Sequence, residues 1–176
     1  MRGELELKTT RQASERGPRQ QPRNEGVGDS RGSIPGVILG LGLGGLADGI
    51  VFHQLLQWHH LISERRTTAT VAGLEANTLA DGVFHAVMWI VLVVGLVEVV
   101  QTGRRHDLSA ARLAGAALVG WGVFNVVDQL VFHLALDLHH IREGANYAVY
   151  DWSFFGLGVV LIAAGVLLAG SASGER

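Results

Sequence analysis

Four long apolar segments, separated by short polar stretches, follow a polar N-terminal region of about thirty residues. The pattern predicts helices at about 34–60, 77–101, 113–140 and 147–170. A bilayer hydrocarbon core of about 30 Å is crossed by roughly 20 helical residues, so each segment is long enough to span it. The sequence lacks the strands of about ten residues with alternating polarity that build membrane β-barrels. The pattern therefore predicts four transmembrane helices.

The two ends of the chain differ from this apolar region. Residues 1–33 carry basic and acidic side chains with no apolar run among them, and such a segment cannot bury enough surface to fold. We predict a disordered polar cytoplasmic tail there and a short C-terminal tail at 171–176. The first apolar stretch begins near Ile34 without a small-residue cleavage pattern, which is unlike a signal peptide.

Composition supports an integral membrane protein whose surroundings are the lipid bilayer. Of the 176 residues, 48% are hydrophobic and 17% charged, whereas soluble domains carry about a quarter charged residues. The mean hydropathy is +0.29 despite the polar tail. The absence of cysteine excludes disulfides, thiolate zinc sites and iron–sulfur clusters. A net charge of -2 gives no reason to expect nucleic acid as a partner.

Basic residues predict the orientation. With four spans, the N-terminal tail, the loop between the second and third helices and the C-terminus share one side of the membrane. That side carries 11 of the 14 Lys and Arg residues, and the opposite side carries 3. Because cytoplasmic loops are enriched in Lys and Arg, we expect both termini to lie in the cytoplasm. We expect the protein itself to lie in the inner or plasma membrane.

The chain also contains an internal repeat at an offset of 80 residues. The first and third helices share aligned motifs: Asp48, Val51-Phe52-His53 and His59-His60 with Asp128, Val131-Phe132-His133 and His139-His140. The second and fourth helices echo each other more faintly at an offset of about 70, with Asp81-x-x-Phe84 matching Asp151-x-x-Phe154. Two parallel repeats predict a pseudo-two-fold axis along the membrane normal. We therefore expect an all-α, four-helix transmembrane bundle assembled from two hairpins.

Seven of the eight histidines fall on the extracytoplasmic side of this topology. Aspartates share the same half or the middle of the bilayer, and an aspartate near the midplane costs about 2.5–3.5 kcal/mol, so it needs a partner. Imidazole is the commonest metal ligand, and a carboxylate on its other nitrogen orients it. We predict a transition-metal site, with copper or iron favoured over zinc. The predicted core ligands are His53, His60, His133 and His140, with His59, His139 and His85 as further candidates. Asp48, Asp128 and Asp81 are predicted to orient imidazoles, carry protons or compensate charge.

Helical geometry leaves the arrangement of this site open. On one straight helix, the stripe of His53 and His60 lies roughly 130° from the stripe of Asp48 and His59, at about 100° per residue. The sequence thus predicts either two equivalent sites or one axial site.

Three other functions are compatible with the same residues. A b-type haem could lie between His53 and His133, which occupy equal depths. Asp48 and Asp128 could carry protons or ions in a transporter. The polar groups could also be purely structural, in a membrane assembly protein without a cofactor. No known catalytic motif identifies an enzyme.

Small helix faces would also allow a homodimer, and a redox or metal-delivery partner would fit a metal site.

The paired motifs around Asp48–His60 and Asp128–His140 resemble an uncharacterised family of prokaryotic membrane proteins, family twenty-two forty-three of the domains of unknown function. The resemblance covers about residues 34–170. It implies a four-helix inner-membrane protein and brings no activity, cofactor or assigned residue.

Overall fold

A computed structural model describes residues 30–171 of the chain. Within this range there are four long helices and no strand, which confirms the predicted fold class. The helices are α1 (Ser33–Asp48), α2 (Val71–Arg105), α3 (Ala110–Asp128) and α4 (Tyr147–Ser171). A single 3-10 turn, Ser30–Gly32, precedes α1. The predicted N-terminal tail, apart from its last four residues, and the C-terminal tail after Ser171 lie outside the described residues.

Two hydroxyl side chains define where α2 and α3 begin. The Thr70 hydroxyl accepts a hydrogen bond from the Gly73 N–H at 3.1 Å, so α2 begins six residues before the predicted start. The Ser109 hydroxyl accepts from the Arg112 N–H at 3.4 Å and caps α3 in the same way. Such caps satisfy N–H groups that have no partner within the helix.

The helices pack around a central pair. The parallel helices α1 and α3 contact each other, α2 packs against α1, and α4 packs against α3. Glycines permit the central contact: a Cβ on Gly40 would collide with the Ala117 carbonyl, and one on Gly120 with the Val37 carbonyl. Small residues allow this backbone approach in lipid, where helices associate through packing. The outer helices expose many large apolar side chains, including Leu79, Val160 and Leu167. Four helical stretches are long and apolar enough to cross a membrane: Ser33–Leu55, Val71–Arg105, Ala110–Ala135 and Tyr147–Ser171, in which α1 and α3 are extended by the segments that follow them.

The first and third helices end differently from the prediction. Each continues into a seven-residue π-helical segment, Gly49–Leu55 after α1 and Gln129–Ala135 after α3. The helical path thus ends at Leu55 and Ala135, about five residues before the predicted ends at 60 and 140. Gln57 and Asp137 then adopt positive φ angles of 49° and 48°, a left-handed conformation that an α-helix cannot include. The residues that follow turn back towards the bundle instead of extending the helix.

Candidate functional site

Four buried imidazoles meet where these segments end. His53 and His133 lie on the two π-helical segments, and His59 and His139 lie on the loops that follow them. Each residue is at most 2% exposed. The ring centroids are 4.4 Å apart for His53 and His59, 4.5 Å for His133 and His139, and 4.7 Å for the stacked pair His59 and His139. The turn after each helix thus brings His59 next to His53 and His139 next to His133. On a straight helix these side chains would lie on different faces.

Asp81 of α2 anchors the first half of this cluster. Its Oδ1 accepts hydrogen bonds from His53 Nδ1 and from the Leu61 N–H, both at 2.8 Å. Its Oδ2 accepts from His60 Nδ1 at 2.6 Å. A carboxylate that accepts three hydrogen bonds fixes the orientation and tautomer of both rings. The backbone contact also ties the loop after α1 to α2.

Asp151 of α4 makes the same contacts in the second half. Its Oδ1 accepts from His133 Nδ1 at 3.1 Å and from the Ile141 N–H at 2.9 Å, and its Oδ2 accepts from His140 Nδ1 at 2.8 Å. Sequence reasoning did not place Asp151 among the site residues. The signal that could have found it is the match of Asp151-x-x-Phe154 to Asp81-x-x-Phe84.

The rings of His59 and His139 are each held by a backbone carbonyl of the other loop. His59 Nδ1 donates to the Ile141 carbonyl at 2.8 Å, and His139 Nδ1 donates to the Leu61 carbonyl at 3.0 Å. A carbonyl oxygen can only accept, so both rings carry their proton on Nδ1. Each half therefore orients an imidazole of the other half. No sequence motif indicates that the carbonyls of Ile141 and Leu61 are the acceptors.

Burial keeps both loop imidazoles neutral. Burial, reinforced by the neighbouring His139 and His53, lowers the pKa of His59 well below its usual range. Burial lowers the pKa of His139 to about 4, against the opposing pull of the Asp128 carboxylate. At neutral pH each ring therefore has a free lone pair on Nε2, the form that binds metals.

The Nε2 atoms of all four histidines are buried without a hydrogen-bond partner. Buried polar atoms in proteins are nearly always satisfied, so four orphaned acceptors in one cluster require an explanation. Two carboxylates adjoin them: Asp48 Oδ2 lies 3.4 Å from His53 Nε2, and Asp128 Oδ2 lies 2.9 Å from His133 Nε2. These two carboxyl groups thus lie at ion-pair distance from two of the four nitrogens, and Asp48 Oδ1 and Asp128 Oδ2 have no hydrogen-bond partner.

Two groups of these residues have the spacing of a metal site. The donor atoms of His53, His59 and His139 all lie within 4.8 Å of one another, as do those of Asp128, His133 and His139. Nitrogens bound to one ion at 2.0–2.1 Å with tetrahedral or trigonal angles lie about 3.3–3.6 Å apart, so the donor atoms would have to move inward by up to about 1 Å. A third group of this spacing, His133, His140 and Asp151, consists of the hydrogen-bonded contacts already described.

The other predicted ligands lie around this cluster. His60 and His140 use Nδ1 to contact Asp81 and Asp151, and they are only partly buried. His85 on α2 has its ring centroid 6.3 Å from that of His53, and its buried Nε2 also has no hydrogen-bond partner. The four central imidazoles thus include two residues of the predicted core set, His53 and His133, and two of the further candidates.

A comparison with protein families extends over most of the chain. The family described as "Predicted membrane protein (DUF2243)" matches residues 35–172. This range contains all four helices except the first two residues of α1. Neither the curated proteins nor the solved structures give a match to this chain. The chain therefore belongs to this family of predicted membrane proteins, whose function is unknown.

Proposed function

We propose that this membrane protein binds a transition-metal ion through the Nε2 atoms of His53, His59, His133 and His139. The observation that carries the proposal is the set of four buried Nε2 atoms without hydrogen-bond partners. On each ring Nδ1 is already engaged by a carboxylate or a carbonyl. Metal-binding histidines characteristically donate their other nitrogen in this way, which fixes the tautomer and raises ligand basicity.

The ligand set fits copper, iron and zinc, of which we propose copper or iron. Imidazole suits copper, iron and zinc, and the chain has no thiolate to select a softer site. Asp48 and Asp128 place carboxyl oxygens beside two of these nitrogens, where a carboxylate would compensate a cation held away from water. His60, His140, Asp81 and Asp151 hold the ligands in position.

The ring spacing favours a metal ion without a porphyrin. A haem held by two of these histidines would pass its porphyrin plane between them. The other two imidazoles, with centroids 4.4–4.7 Å from their neighbours, occupy that space. A haem would therefore require the cluster to open.

The surroundings suggest how the ion is used. The rings are almost completely removed from solvent, which suits electron transfer or ion transfer better than reaction with a large substrate. The distribution of Lys and Arg supports an orientation with both termini in the cytoplasm and the centre near the extracytoplasmic face of the plasma membrane. Metal handling or redox chemistry at that face is the function that this geometry supports best.

Metal content of the purified protein tests the proposal. The full chain in detergent is loaded separately with copper, iron and zinc under reducing and oxidising conditions, desalted and measured by elemental analysis. We expect at least one equivalent of copper or iron in the wild type, and a smaller retained amount in His59→Gln and His139→Gln. An absorption spectrum of the same samples detects haem through its Soret band.

The matched control is His106→Gln. His106 lies just after α2 at the opposite end of the bundle, where its Nδ1 contacts Arg31. This variant should bind metal as the wild type does. If the wild type retains no metal, or if a variant lacking both His59 and His139 retains as much as His106→Gln, the proposal is wrong.

A further inference from the structure

A cavity of about 490 Å³ opens beside the second half of the histidine cluster. It is lined in part by polar and aromatic side chains, namely Gln129, His133, Asp137, His140, Asp151 and Trp152. Its volume falls within the range of ligand pockets. His133 belongs to the proposed metal site, whereas the exposed Asp137 has no part in it.

The lining residues form a continuous series from the surface to the cluster. Side-chain exposure falls from 58% for Asp137 to 14% for His140, 5% for Asp151 and 0% for His133. Asp137 Oδ1 lies 3.6 Å from His140 Nε2, and Asp151 contacts both His140 and His133. Each polar group is therefore within reach of the next.

The chemistry of this series suits a metal cation. Carboxylate and imidazole are ligands between which transition metals exchange. A carboxylate at the mouth of a cleft also raises the local concentration of cations and their rate of arrival. The position equivalent to Asp137 in the first half is Gln57, which is uncharged. Only the second half therefore has a carboxylate at this position that attracts cations.

We infer that this cavity is the access path by which a transition-metal cation reaches the histidine cluster, with Asp137 as its first contact and His140 next. The inference rests on the proposed function, because a path requires a metal site at its end. Asp137 accelerates loading without holding the bound ion.

Loading kinetics test the path. Among divalent first-row ions Cu²⁺ binds nitrogen and oxygen ligands most tightly, so it serves as a probe whichever metal is resident. Metal-free protein carrying His106→Gln, which removes an exposed competing ligand, is mixed with Cu²⁺ alone at low ionic strength in a stopped-flow instrument. Absorption follows the loading rate, and equilibrium competition with a chelator gives the affinity.

Asp137→Asn is the informative variant, because asparagine also tolerates the positive φ at this position. We expect loading to slow about tenfold, with the difference shrinking at high salt as charges are screened, and the affinity to stay within twofold. Asp107→Asn removes another exposed carboxylate, at the opposite end of the bundle, and should leave the rate unchanged.

The two proposals fail differently. Equal loading rates for Asp137→Asn and Asp107→Asn, with normal affinity, would overturn the access path alone. No binding of Cu²⁺ by any variant would overturn the metal site and the path with it. A large loss of affinity in Asp137→Asn would show that this side chain holds the ion, and would also contradict the path as stated.

Discussion

Replacing Asp81 tests whether its contacts with the imidazoles hold the centre together. In Asp81→Ala, His53 Nδ1, His60 Nδ1 and the Leu61 N–H all lose their acceptor. Removing such a partner of a metal ligand lowers metal affinity 10- to 100-fold. Because three donors lose their acceptor together, we expect the upper end, about 100-fold, which corresponds to about 2.7 kcal/mol. Each unsatisfied buried donor also costs about 1–3 kcal/mol of stability.

Asp81→Asn separates the effect of the hydrogen bonds that orient the imidazoles from the effect of the negative charge at this position. An amide oxygen in the place of Oδ1 can still accept from His53 and Leu61, both of which contact that atom. The amide nitrogen then faces His60, which can change tautomer because it is only partly buried. Only the negative charge is then lost, so we expect an affinity about tenfold below that of the wild type, the lower end of the effect of such a partner.

Competition with a chelator for Cu²⁺ measures both variants, and size-exclusion chromatography in detergent checks their folding. Asp151→Ala should match Asp81→Ala, because it removes the same three contacts in the other half. Glu98→Gln, on an exposed face of α2, serves as the control. An affinity within twofold of the wild type for folded Asp81→Ala would refute the reasoning.

Two further predictions concern stability. Because the pKa of His139 falls from 6.5 to about 4 on folding, the unfolded chain binds more protons between these values. The free energy of unfolding of the metal-free protein should therefore fall as the pH drops from 6.5 to 4, by up to about 3 kcal/mol from this group. Tryptophan fluorescence during unfolding should show a smaller pH slope in His139→Gln, and an unchanged slope would contradict this. Gly40→Ala should lower the free energy of unfolding by about 1–3 kcal/mol, because the new methyl group meets the Ala117 backbone. Gly82→Ala, where nothing lies within 4 Å, should leave it unchanged or raise it by up to about 1 kcal/mol; equal losses would refute the packing argument.

The membrane fold could be predicted because hydrophobic length determines it. Four apolar segments of sufficient length identify four helices whatever their neighbours are. Of the four predicted starts, that of α2 is the least accurate, because Thr70 caps the helix and it begins at Val71, six residues before the predicted start. The offset of 80 residues also aligns Asp48 with Asp128 and His53 with His133 in the sequence.

The geometry of the cluster could not be predicted because it depends on irregular backbone. A straight helix would place His53 with His60 and leave His59 on another face. The π-helical segment and the positive φ of Gln57 turn His59 back beside His53 instead. Nothing in the apolar pattern marks a π-helical segment, and a glutamine is an uncommon residue at positive φ.

The exchange between halves is equally invisible in sequence. His59 is oriented by the carbonyl of Ile141, 82 residues away, and His139 by that of Leu61. Every residue except proline carries the same backbone donor and acceptor, so its identity gives no information about such contacts. Only the folded loops determine which carbonyl is near.

The central claim is that imidazole nitrogens of both halves hold one metal centre. X-ray absorption spectroscopy of the copper- or iron-loaded full chain tests it most directly, since scattering within the imidazole rings identifies and counts these ligands. We predict a shell that contains three or four imidazole nitrogens in the wild type and one fewer in both His59→Gln and His139→Gln. A shell of oxygen atoms alone, or one unchanged in these two variants, would contradict the account.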